Sequence, residues 1–265
     1  MINPVAIVTG AATGIGAAIA EAFAQRHWRV VINFRRSEEA ARATAERCET
    51  AGGEVWLCQA DISQDADCRR LAREAEQHWG RIDALINNAG TTRFVAADDL
   101  EGLDAAAFQQ IFATNVIGAF QMGRAVAPAM RALGRGSIVN ISSFAGQAGF
   151  GSSIAYAASK GALNTLTVSL ARTLAPEIRV NAVSPSFVDT YWLKDNMNAQ
   201  QYLDLKQRVE HIAPLGAIAT PQDVADAVVW LTEAGRLVTG EILGVDAGMH
   251  LAHPLAVKKG TSDES

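Results

Sequence analysis

Residues 5–16 read VAIVTGAATGIG: an apolar run, a loop carrying three glycines, and the opening of an amphipathic stretch. Gly10, Gly14 and Gly16 permit a tight turn and close backbone approach to a pyrophosphate. The helix that follows would offer free N–H groups and a positive dipole end to that anion. The spacing is GxxxGxG rather than GxGxxG, and glycines after a strand often make only a turn. The strand–loop–helix context is what points to a dinucleotide site, with Thr13 and Ile15 as further candidate contacts in the same loop.

The pattern opened by this unit continues along the chain. Val5–Val8, Val30–Phe34, Val55–Gln59, Ala84–Asn87, Ser137–Ile141, Arg179–Val183 and Glu241–Val245 read as strands. Several are apolar without alternation, as strands buried on both faces should be. Helical periodicity lies between them, near 14–26, 37–51, 63–79, 104–132, 153–174 and 221–234. This alternation predicts a doubly wound α/β fold: a parallel seven-stranded sheet with helices on both faces. We expect one Rossmann-type domain over residues 1–250 and a tail over 251–265. Residues 189–213 break the rhythm, with a helical pattern and no strand after it. An insertion beyond a strand's carboxyl end reads as a substrate lid, or as a surface helical hairpin covering the sheet.

Bulk properties narrow the function classes. The chain has 265 residues and a net charge of −5, against the basic face that nucleic-acid binding needs. Cys48, Cys58 and Cys68 form no CxxC pair, so neither zinc nor any other metal site is expected, and free thiols in a reducing cytoplasm are. The opening MINPVAIVTG has no basic region and no long apolar run, so no secretory signal or membrane partner is expected.

The second strand ends in Asn33-Phe34-Arg35-Arg36-Ser37. Folds that prefer NAD place an acid near here for the adenosine ribose hydroxyls. None stands at this strand end; instead Arg35 and Arg36 follow it, and a guanidinium can hold a 2′-phosphate bidentately. This favours NADP(H), with NAD(H) as the weaker alternative, over two solvated arginines at a helix start. Asp61-Ile62 follows the third strand, where the carboxylate can accept an adenine amino group or cap the helix starting near Ser63. The sequence leaves both open. Asn88, Ala89 and Gly90, in the NNAG run that ends the fourth strand, let a flat cofactor pass over the backbone or form a simple turn.

Tyr156 and Lys160 lie one helical turn apart in YAASK, and Ser143 ends the fifth strand. The residue types fit carbonyl reduction by hydride transfer, which requires a proton for the developing alkoxide. A phenol with a pKa of about 10 is a poor acid/base at neutral pH. A nearby ammonium is expected to lower it. Ser143 can hydrogen-bond the carbonyl oxygen. A lone YxxxK is a weak signal; its company with the glycine loop, Asn88, Asn115 and Ser143 is what carries the reading.

On these residues the chain resembles the short-chain dehydrogenase/reductase family over about residues 3–250. The matching pieces are TGAATGIG at 9–16, DI at 61–62, NNAG at 87–90, Asn115 in FATNVIG, SS at 142–143, YAASK at 156–160 and NAVSPSFVDT at 181–190. Within the family it looks like 3-oxoacyl-carrier-protein reductases and general carbonyl reductases. The resemblance implies Asn115, Ser143, Tyr156 and Lys160 as catalytic, with Asn115 holding a water beside Lys160. On the residues alone, Asn115 is a buried amide distorting its helix. The resemblance further implies that Pro185, Val188 and Thr190 contact the cofactor. It implies pairing of the 153–174 helix and the long one before it across a dimer interface, then a homotetramer. The family usually has Pro-Gly where this chain has Pro185-Ser186, a side chain close to the expected substrate.

Candidate substrate residues are Ser143, Phe150, Ser186, Phe187, Arg93 and Trp192, with Thr91, Phe94 and Tyr191 nearby in sequence. The aromatics favour a moderately apolar substrate, and Arg93 would meet a carboxylate. Two rivals stand beside the oxidoreductase: a dinucleotide sensor without turnover, and epimerisation or dehydration on the same frame.

Overall fold

The structure, a computed structural model, describes residues 3–96, 98–190 and 198–252. Seven strands form one parallel sheet: β1 (Val5–Val8), β2 (Arg29–Phe34), β3 (Glu54–Gln59), β4 (Ala84–Asn87), β5 (Gly136–Ile141), β6 (Ile178–Pro185) and β7 (Ile242–Val245). Their order is β3-β2-β1-β4-β5-β6-β7. Each edge excursion starts from the centre, so the winding reverses between β1 and β4. Connections there leave in opposite directions and open a crevice at the strands' carboxyl ends.

Two apolar layers explain the unbroken hydrophobic runs. Ala6 and Val8 of β1 pack toward α1 (Gly14–Ala24), α2 (Glu38–Thr50) and α9 (Pro221–Glu233). Val5 and Ile7 pack toward α3 (Asp65–Trp79), α5 (Ala119–Ala132) and α7 (Ile154–Leu174). All four strand residues are fully buried. Alternate side chains on opposite faces, both covered, need an apolar residue at every position.

The expected strands and helices are present, with shifts of one or two residues at their ends. One difference is larger. The expected helix over 104–132 is three pieces: α4 (Ala105–Phe112), a π-helical turn over Ala113–Gly118, and α5. Gly118 lies so close to the segment after β3 that an added Cβ would sit 2.8 Å from Ile62 Cδ1 and 3.0 Å from Ile62 O. The widened turn also carries Asn115, whose amide bonds away from its own helix. Periodicity does not register such a turn, because one extra residue leaves the apolar pattern largely intact.

Two short elements escape the sequence pattern: α6 (Ala145–Ala148) and a 3₁₀ turn over Met249–Leu251. Both are below the length at which periodicity signals a helix. Of the 189–213 segment, α8 spans Ala199–Ile212, opened by a capping box between Asn198 and Gln201. Tyr191, Trp192 and Met197 lie outside the described residues, as does the tail from 253 onward.

The glycine loop shows why its residues are small. Gly10 has φ +62° and an added Cβ would lie 2.8 Å from Ala89 Cα. At Gly16 it would lie 2.5 Å from Gly10 O and 2.9 Å from Ala11 Cα. Gly16→Ala is therefore expected to destabilise the protein by about 1–3 kcal/mol. Urea unfolding checks this, and an unchanged midpoint would show that the loop tolerates a methyl group there.

Candidate active site

The carboxyl ends of the strands border a cleft of about 960 Å³. Its lining takes in Gly10, Thr13, Gly14, Ile15, Gly16, Arg35, Asp61, Ile62 and Asn88–Gly90 at one end. Ser143, Tyr156, Lys160, Pro185, Val188 and Thr190 line it further along. The sheet thus gathers segments more than a hundred residues apart into one crevice.

The phosphate end is held by side-chain amides. Asn88 Nδ2 donates to Thr9 O and Gly10 O, both at 3.0 Å. The Asn88 and Ala89 N–H groups donate to Thr9 Oγ1 at 3.0 and 3.1 Å. From the other side Asn33 Oδ1 accepts the Gly10 N–H at 3.3 Å, while its Nδ2 donates to Cys58 O and Ala60 O. Helix α1 has no side-chain cap and no acid in its first turn. Its first N–H groups face the cleft without an internal acceptor, which fits an anion there. An added Cβ on Gly14 would touch only Thr190, at 3.7 Å, so that side of the loop is open to a ligand.

Arg35 lines the cleft, with Nη1 3.6 Å from Asp61 Oδ2. Arg36 does not: it is exposed and outside the lining, because successive side chains leaving the strand point to opposite sides. Ser37 lines the cleft in its place. Asp61 Oδ1 accepts from Ser63 N at 3.0 Å and Ser63 Oγ at 2.7 Å. It closes a local turn and does not cap α3, whose N-cap is Gln64. Burial pushes the Asp61 carboxyl up, but the Ser63 bonds and Arg35 outweigh it and hold it below its ordinary value.

The chemical end is built on α7. Ser153 caps the helix by accepting the Tyr156 N–H at 3.2 Å, placing Tyr156 in the first turn and Lys160 in the second. Gly146 of α6 lets the helix approach closely, since a Cβ there would lie 2.6 Å from Lys160 C. Lys160 is 4% exposed and Nζ donates to Ile141 O at 2.7 Å. Nζ also stands 5.6 Å from the centre of the Tyr156 ring. Ser143 hydrogen-bonds Tyr156.

The expected lowering of the phenol pKa by Lys160 does not hold in this cleft. Burial pushes Tyr156 up to about 12, against a smaller lowering by Ser143. Burial likewise pulls Lys160 down to about 8. Both shifts favour the neutral form, the mark of desolvation.

Asn115 lies outside the lining, and its side chain acts as a brace. Oδ1 accepts the Thr91 N–H at 2.8 Å; Nδ2 donates to Thr91 O and Ser159 Oγ, both at 3.0 Å. Ser159 Oγ in turn donates to Tyr156 O at 2.7 Å. The π-helical turn is thereby tied to α7 and to the loop after β4.

Of the substrate candidates, Thr91, Phe94, Phe150, Ser186 and Phe187 line the cleft. Arg93 does not reach it: the guanidinium is exposed, 3.9 Å from Asp104. Trp192 and Tyr191 fall outside the described residues. Sequence reasoning passed over Asn33, Ser37, Leu205, Val209 and Met249. A polar residue ending an apolar strand was the available signal for Asn33. The other four carry no local signature.

Residues 10–250 match the family model described as enoyl-(acyl carrier protein) reductase. A provisionally assigned ketoacyl reductase of the granaticin polyketide synthase of Streptomyces violaceoruber is 41% identical over 248 residues, 94% of this chain and 96% of the relative. The cis-4-hydroxycyclohexanecarboxylate dehydrogenase of Sinomonas cyclohexanicum is 36% identical over 246 residues, 92% and 95% of the two chains. The crystal structure of a provisionally assigned short-chain dehydrogenase/reductase from Burkholderia xenovorans superposes with a TM-score of 0.88 at 41% identity, covering 95% of this chain and all of that one.

Asn115→Ala would leave the Thr91 N–H and C=O without their side-chain partner. It is expected to lower stability by about 1–3 kcal/mol in urea denaturation. A variant as stable as the parent would show that Thr91 is held by other contacts.

Proposed function

The chain belongs to the short-chain dehydrogenase/reductase family, and on that premise we propose that it is an NADP(H)-dependent reductase of ketones, with Tyr156 as its general acid/base. The family's nicotinamide cofactors and its ketone or alcohol substrates set the reaction class. The observation that carries the finer reading is the burial of Tyr156 and Lys160 together on the cleft that the glycine loop opens.

The dinucleotide, when bound, supplies the hydride for the carbonyl carbon. The uncapped start of α1 and Gly10, Gly14 and Gly16 would hold its pyrophosphate. Arg35, with Ser37, would hold the 2′-phosphate. Val188 and Thr190, on the loop after β6, would hold the nicotinamide. Gly90 lies near the reacting end, where an added Cβ would come 3.8 Å from Lys160 Nζ.

The chain's own residues handle the proton. A phenol with its pKa pushed up to about 12 stays protonated at neutral pH and is a donor. Tyr156 Oη gives its proton to the substrate oxygen as the alkoxide forms. Ser143 Oγ donates a hydrogen bond to the same oxygen. The tyrosinate left behind faces the Lys160 ammonium in a water-poor site, which stabilises it until it is reprotonated. The Ile141 carbonyl keeps Nζ in place through the cycle. Oxidation of an alcohol runs the same steps in reverse.

Ile117 and Phe120, near the start of α5, and Ile154 and Val168 on α7 are large apolar side chains between 40% and 49% exposed. They support assembly through these two helices, consistent with a homotetramer or dimer.

Two measurements test the reading. Tyr156→Phe is expected to lower kcat by about 10²–10⁴ while leaving the dissociation constant of NADPH unchanged. Turnover at the parent rate would remove Tyr156 from the role of acid/base, and a parent without turnover that still binds NADPH would favour a dinucleotide sensor. The parent is expected to prefer NADPH to NADH by roughly tenfold or more in kcat/KM, a preference that Arg35→Ala removes. Equal use of the two dinucleotides by the parent would refute the assignment.

A further inference from the structure

The cleft is lined by a set of apolar side chains that the proton transfer does not use. Phe94, Phe150 and Phe187 line it from the loops. Leu205 and Val209, one turn apart, line it from α8, and Met249 from the 3₁₀ turn after β7. Among the described residues the only charged side chains lining the whole cleft are Arg35, Asp61 and Lys160. None of these stands on the loops, on α8 or on the 3₁₀ turn that supply the apolar side chains.

Met249 owes its position to a carboxylate that the chemistry does not use. Asp246, directly after β7, is 5% exposed. Its Oδ1 accepts the Gly248 N–H at 2.9 Å; its Oδ2 accepts the His250 N–H at 3.0 Å and is hydrogen-bonded to His250 Nδ1 at 2.8 Å. Three bonds to residues two and four positions ahead wind the chain tightly around one side chain. The backbone conforms: Ala247 has φ +52° and Gly248 φ +82°. A non-glycine residue in the left-handed region is held there by its surroundings. The turn is also fastened to the segment that follows α8, with Leu215 N donating to Ala247 O at 3.1 Å. A Cβ on Gly248 would lie 3.1 Å from Pro214. The turn that carries Met249 is thus held against the segment leaving α8, and Met249, Leu205 and Val209 line the same cleft.

We propose that Met249 is a specificity-determining residue, closing with Leu205 and Val209 an apolar wall that selects ketones by their apolar bulk, and that Asp246 is its positioning residue. The proposal rests on the ketone-reductase reading and adds a substrate class to it: uncharged ketones with a hydrophobic ring or branch beyond the carbonyl. Methionine suits such a wall because its unbranched thioether adapts to irregular apolar shapes. One methylene more or less in an apolar pocket is worth roughly 10–200-fold in selectivity.

The test compares cyclohexanone with 4-tert-butylcyclohexanone, with NADPH and the full-length protein. Met249→Ala is expected to raise KM for the bulkier ketone about tenfold more than for cyclohexanone, with the loss in KM and not in kcat. Met249→Leu, which keeps the apolar volume, is expected to restore most of the difference. Asp246→Asn is expected to reproduce the ketone-selective KM change with the NADPH dissociation constant unaltered. A general loss of stability would not move one ketone's KM and spare the other's. Met249→Ala shifting both ketones equally, or neither, overturns the wall while leaving the reductase intact. A parent protein that consumes NADPH with no ketone at all overturns the reading beneath it.

Discussion

The buried ammonium of Lys160 is the constraint around which the chemical end of the cleft is arranged. A cation removed from water is tolerated only where fixed dipoles replace its hydration. Here the Ile141 carbonyl, at the carboxyl end of β5, supplies one such dipole. That single bond links the helix carrying Tyr156 to the strand preceding Ser143. It sets the three reactive side chains relative to the sheet rather than to a loop. Burial also makes the lysine's proton labile and the tyrosine's tenacious, so one feature shapes both members of the pair.

Rigidity at the carboxyl edge comes from side-chain amides. Asn33 and Asn88 tie the glycine loop to the neighbouring strands, and Asn115 ties the π-helical turn to Thr91 and Ser159. Deeper in the sheet, Asn87 donates to Asn140, and Asn140 to Thr167 of α7. An amide can donate and accept at once, so it bridges backbone groups that diverge where strands end. Such bridges fix the site's side chains to the sheet, and fixed dipoles are the condition for electrostatic stabilisation without reorganisation.

Much of this was legible in the sequence because it is local. Strands buried on both faces show as unbroken apolar runs. Thus β1 was readable from VAIV, and the glycine loop from the four residues on either side of it. YAASK fixed Tyr156 and Lys160 on one helix face. Of Arg35 and Arg36, the direction of the chain leaving β2 separates the cleft residue from the solvated one. Arg93 failed for a similar reason, since nothing local tells a guanidinium whether Asp104 or a cleft will face it. Met249 was invisible because its place depends on a carboxylate three residues earlier folding the chain back. The sign of the Tyr156 shift was misjudged because desolvation is a property of the packed site and not of two neighbouring side chains.

The pH dependence of kcat/KM for the dinucleotide reports groups of the free enzyme and so reads the central lysine most directly. The account predicts a decline of one logarithmic unit per pH unit as the pH rises through about 8, where burial makes Lys160 release its proton. A profile that stays level to about pH 10, the range of an ordinary solvated lysine, would contradict it.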